Sequence, residues 1–224
     1  MKPLSSIPAG LDAAPVAHAW NDAKPYAVVD ETDDVTEAFG TVSYEAQVGF
    51  TIACAEWVLA RLGWDMEGGG VADTLEATWA SLLRLELQGG RVDVDGWKGS
   101  VRGAMAFALE DAIDVAFQPD EDHDVASQAS LAAALVKHVL PEAARPAFVA
   151  WQEGVLARLL EHHIREVRAT HTLVARDLYD LGVDVTSPRP HAAAFYESLR
   201  GSKNPYLRFR DRWIPFDDLV EDLA

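Results

Sequence analysis

The residues best typed for chemistry are three histidines and a glutamate near the C-terminal third: His162, His163, Glu166 and His171. Histidines and carboxylates three or four residues apart on a helix share one face, the spacing that zinc and iron sites use. His163, Glu166 and His171 are the alternative metal-ligand set of this chain. On a helical wheel, however, His171 lies within an apolar stripe, His163 lies on its edge and His162 faces the polar side. Neither HExxH nor Glu-x-x-His occurs, so neither a zincin nor a di-iron pattern is present. The expectation is a buried neutral His171 and no resident metal or cofactor.

Three other chemical patterns are incomplete. Asp120, Asp122 and Asp124 match the opening carboxylates of a calcium loop, but Val125 stands where glycine is required and Leu131 where the closing glutamate belongs. Gly68-Gly69-Gly70 precedes a helix start, yet Asp65, Glu67 and Asp73 surround it and repel phosphate. No GxxxxGK[ST] and no GxSxG is found. Arg208, Arg210 and Arg212 alternate with Phe209 and Trp213, a pattern that stacks on bases or grips phosphates. The acids that follow dilute that charge, and an arm docked on the chain's own acidic front is the preferred reading.

Charge is the strongest signal. The 224 residues carry 36 acids against 19 Lys and Arg, net -17. Residues 1–150 hold 24 of those acids and only 9 of the bases. Such a surface repels nucleic acid and anionic lipid and attracts basic proteins. The densest run is Glu110, Asp111, Asp114, Asp120, Glu121, Asp122 and Asp124, with no Lys or Arg among them. These residues are the expected partner-binding surface, with Trp97 as its aromatic anchor.

The elements that must position these groups read as helices. Ser43–Leu62, Asp73 to about Leu87, Ser100–Phe117, Asp124 to about Leu140 and His191–Leu199 each show apolar residues at three- and four-residue spacing. Pro146 suits the first turn of a further helix that leads into the longest stripe. That stripe runs Leu156, Leu160, Ile164, Val167, His171, Val174, Leu178 and Leu181, and predicts one helix of about 39 Å at ~1.5 Å per residue. The expected fold is all-α: an irregular bundle of six or seven helices around a 156–181 spine. One domain is expected, with an irregular acidic arm over 1–40, a helical core over 41–200 and an extended Arg/aromatic tail over 201–224. Cys54 sits among apolar neighbours and reads as an inert core thiol.

A single cysteine, no leader-like apolar run and no 20-residue apolar segment lead to the expectation of a cytoplasmic protein with no membrane contact. The functional expectation is a non-enzymatic binding protein that neutralises a basic protein partner, as immunity proteins and antitoxins do. The alternative is a metal-dependent or acid–base enzyme built on His163, Glu166 and His171. A third reading, a subunit of a larger assembly, requires a contiguous exposed apolar patch.

Overall fold

The computed structural model describes residues 1–28, 33–117, 124–165, 172–208 and 213–221. The chain is essentially all-helical, an irregular bundle of about 6–8 helices. Its α-helices are α1 (Asp33–Phe39), α2 (Tyr44–Leu62), α3 (Gly70–Ser81), α4 (Gly99–Phe117), α5 (Val125–Val139), α6 (Arg145–His162), α7 (Pro188–Ser198) and α8 (Phe216–Leu219). Among the described residues no helix is long and apolar enough to cross a membrane.

The spine is α2, not the predicted C-terminal helix. Ser43 caps it by accepting a hydrogen bond from the Ala46 amide, and Gly63 ends it. Residues 46–59 of α2 are all buried, because the helix is apolar on nearly every side. It packs on α4 and α5, while α3 lies against α2 and α4, and α1 against α5. An aromatic column joins α2 to α6: Phe50 stacks on Trp151 at 5.5 Å, Trp151 on Phe148 at 5.4 Å, and Phe148 meets Trp57 edge-on at 5.3 Å.

The predicted 156–181 helix stops at His162. His163 takes φ -138°, ψ 40°. Its carbonyl accepts from the Ser43 amide, the Arg165 amide donates to the Thr41 carbonyl, and Val42 and Ile164 form an antiparallel bridge. The segment leading into α2 thus captures the backbone that a longer helix would have used internally. Local preference does not resist, since the run after His162 is rich in His and β-branched residues. Residues 166–171, with Glu166 and His171, lie outside the described residues. The chain returns as a 3-10 turn, Arg176–Tyr179, whose Leu178 and Tyr179 are buried. Smaller differences occur at α3. It starts at Gly70 after three residues with positive φ, Glu67, Gly68 and Gly69, so Asp73 lies in its first turn and is not its cap.

The N-terminal residues are not a free arm. Leu4, Ile7 and Leu11 are buried in the core. The Leu4 amide donates to Glu56, and the Ser5 and Ser6 amides donate to Asp180. Glu56, fully buried in α2, also accepts from the Trp79 indole at 2.6 Å and from two nitrogens of Arg176 at 2.8 and 2.7 Å. One carboxylate therefore ties together the N-terminus, α2, α3 and the segment after α6. Burial alone pulls the Arg176 pKa down, but the Glu56 carboxylate raises it overall. At the C-terminal end, Tyr206, Leu207, Trp213 and Ile214 pack on the core, and Gln88 bridges Leu207. Residues 209–212, with Arg210 and Arg212, lie outside the described residues.

Candidate functional site

The face of α4 organises the first candidate. Gly103, Phe107, Glu110, Asp114 and Phe117 recur at steps of four and three and share one side of the helix. The first half of that side is covered by an N-terminal strap. The His18 ring donates from Nε2 to the Ser100 carbonyl at 2.6 Å, and His138 of α5 donates to the Ala19 carbonyl at 2.6 Å. Asp22 accepts from the Gly99 amide at 3.0 Å and so caps α4 from a distance. The Trp20 indole lies where any side chain at position 103 would sit. Tyr26 ends the cover, its ring edge-on to Phe107 at 4.8 Å.

Beyond Tyr26 the same face is open. Asp114 is exposed, and Glu110 and Asp111 are half-buried. Tyr26 is 55% exposed and Phe117 41%, which places two aromatic side chains beside the carboxylates. Burial, then the charges of Asp111, Asp114 and Glu110, raise the Tyr26 phenol pKa. Burial and then Asp114 push Asp111 up to about 7. Asp124 caps α5, accepting from the Ser127 amide and hydroxyl, and these bonds hold its pKa down. None of Glu110, Asp111, Asp114 and Asp124 forms an ion pair among the described residues.

The expected site residues therefore divide. Glu110, Asp111 and Asp114 lie together on α4, and Asp124 stands at the start of α5, across the 118–123 segment. Asp120, Glu121 and Asp122 lie outside the described residues. Trp97 is at the other end of α4: Gly99 and Asp114 alone are separated by ~22 Å along the helix. It is half-buried, with the Arg102 guanidinium 5.3 Å from its ring. Tyr26 and Phe117, not Trp97, are the aromatic neighbours of the acids. Phe117 was legible from its spacing on α4; Tyr26 reaches the ridge only through the path of the strap.

The second candidate surrounds His163, at the junction of α6 and α2. The ring is 4% exposed, and among the described residues neither nitrogen has a hydrogen-bond partner. Burial, then His162, lower its pKa to about 4, against a smaller opposing effect of Glu45. Beside it the Thr172 hydroxyl donates to Glu45 at 2.9 Å, which leaves the Ser43 hydroxyl to donate to Thr172 at 2.7 Å. His162 points elsewhere, donating to the Val185 carbonyl. Among the described residues, no group of three or more His, Cys, Asp or Glu is placed to hold a metal ion. Cys54 is buried, and burial drives its thiol pKa well above the usual range, as an inert core position requires.

No family model matches this chain, and no curated protein or solved structure matches it.

Proposed function

We propose that the chain is a binding protein that takes a basic protein partner on the ridge formed by Glu110, Asp111, Asp114 and Asp124. The supporting observation is the open half of the α4 face, where carboxylates in no ion pair among the described residues stand beside the exposed rings of Tyr26 and Phe117. Carboxylates of one sign accelerate encounter with a cationic surface, and aromatic anchors supply the affinity that charge alone does not. The mechanism is occlusion: the partner's own functional surface is covered, with no reaction on this chain. An intracellular inhibitor of immunity-protein or antitoxin type is the concrete form of this reading. It is tested by affinity capture from lysate of the source at low and at moderate salt, with the wild-type chain and a Glu110→Lys/Asp114→Lys variant. One stoichiometric basic protein, lost with salt and with the variant, is the expected result. No partner at either salt, or a partner the variant retains, overturns the proposal.

A second reading, an acid–base or metal-dependent enzyme, draws on the buried His163 ring, whose nitrogens have no hydrogen-bond partner among the described residues. Elemental analysis of chelator-free protein tests its metal form, and less than about a tenth of a metal per chain counts against it.

A further inference from the structure

The strap over the first half of the α4 face is held by two histidines that also meet each other. The His18 and His138 rings stand edge to face, with centroids 5.4 Å apart. Each donates from Nε2 to a main-chain carbonyl at 2.6 Å, His18 to Ser100 of α4 and His138 of α5 back to Ala19 of the strap. Neutral rings suffice for both bonds. The Nδ1 atom of His18 is buried and has no hydrogen-bond partner among the described residues. A second proton on this ring would find no acceptor there.

The surrounding charges also disfavour a cation. His18 feels His138 of α5 and Arg61 of α2. Arg61 is buried, donates to the Leu11 and Pro15 carbonyls and is in no ion pair among the described residues. The last turn of α5 adds Lys137, and the first turn of α4 carries no acid. Arg102, farther along α4, is engaged by Glu67. Of the nearby carboxylates, Asp12 acts on Arg61, and Asp22 is taken by the Gly99 amide and the Trp20 indole. Burial, opposed by the bond to Ser100, and then the charges of His138 and Arg61 hold the His18 pKa below its usual 6.5.

We infer that the strap is a cover released by mild acid: protonation of His18 against His138 lifts residues 18–22 from α4 and uncovers the Gly103 notch and the Phe107 ring. Arg61 holds the chain at Leu11 and Pro15, so the movement begins beyond Pro15. Trp20, which fills the notch and lies edge-on to Phe107 at 6.0 Å, leaves with the strap. The released strap binds the His18 proton more tightly than the docked one does. Docking is therefore intact above pH 6.5 and weakens as pH falls below it. Release requires no bound partner.

The test is amide exchange in the full chain, followed by NMR. The Gly99 amide bonds to Asp22 only while the strap is docked. With the intrinsic pH dependence of exchange divided out, its protection should fall by up to about tenfold between pH 7.5 and 5.5, the limit for one proton held only by the released strap. The Trp20 indole N–H, also bonded to Asp22, should shift over the same range. His18→Gln keeps a donor for the Ser100 carbonyl but does not titrate, and should hold the pH 7.5 protection down to pH 5.5. His163→Phe, which alters the pH dependence of the whole fold, should leave the fall in place. Protection that is flat in the wild type overturns the inference. So does a fall that persists in His18→Gln or is abolished by His163→Phe.

Discussion

Two groups of opposite type should leave opposite marks on the pH dependence of stability. His163 titrates at about 4 in the folded chain against an ordinary 6.5, so below pH 6.5 the unfolded chain holds a proton that the folded chain lacks. Its contribution is fully present above pH 6.5 and is lost as pH falls towards 4. Each proton of difference is worth about 1.4 kcal/mol per pH unit, or about 3 kcal/mol over that window. Asp111 titrates at about 7 against an ordinary 3.8, so over the same window the folded chain holds a proton that the unfolded chain has lost. Its contribution is present at acid pH and is lost as pH rises from 3.8 to 7. Between pH 4 and 6.5 the two slopes oppose one another, with that of Asp111 reduced because the side chain is only half-covered and water screens it. Asp111→Asn should therefore make stability rise more steeply with pH than in the wild type. His163→Phe should make it fall, or rise less, and sacrifices no hydrogen bond to the described residues, since neither ring nitrogen makes one among them. Urea unfolding followed by tryptophan fluorescence at several pH values across the window reads both slopes. Variants that parallel the wild type, or that both change in the same direction, would refute the placement of these two groups.

Three further substitutions probe the frame that carries the ridge. Glu56→Gln leaves Arg176 a buried cation without its carboxylate and should cost about 3–5 kcal/mol in urea unfolding, whereas Glu56→Leu with Arg176→Met should cost far less. Gly49→Ala places a methyl group against the Tyr179 ring, whose Cζ lies 2.6 Å from that position. It should displace the Tyr179 bond to the Ala46 carbonyl and lower stability by about 2–4 kcal/mol, read as a fall in Tm. Gly103→Ala drives the Trp20 indole from its seat on α4. It should release the strap, seen as greater acrylamide quenching of tryptophan with a loss of only about 1–2 kcal/mol.

Much of the helix pattern was legible because capping and termination are local. Ser43 and Asp124 each present a side-chain oxygen to the amide three residues on, and Gly63 and Pro141 stop α2 and the region after α5. The C-terminal half was not legible in the same way. The Leu156–Leu160–Ile164 stripe has a true helical period, but the structure turns Leu160 and Ile164 outward and buries Phe148, Trp151, Val155 and Leu159 instead. Periodicity locates a stripe without saying which of two apolar faces meets the core. The end of α6 depends on bonds to residues 41–43, more than a hundred positions away, which no local pattern encodes. Glu56 did leave a signal, a lone acid inside the apolar run of α2, and such a residue demands a buried partner. Its identity as Arg176 is a matter of tertiary fold. For the candidate site, spacing alone put Glu110, Asp114 and Phe117 on one side of α4, while the approach of Tyr26 required the strap.

The ridge itself is tested most directly by the association rate of a captured basic partner with wild-type chain and with Glu110→Lys/Asp114→Lys, measured by stopped flow across ionic strength. Binding steered by these carboxylates predicts a wild-type rate that falls steeply with salt and a variant about tenfold slower or more at low salt, the two converging once the Debye length drops to a few ångströms. Equal rates and equal salt slopes for the two chains would contradict the proposal that this face of α4 receives the partner.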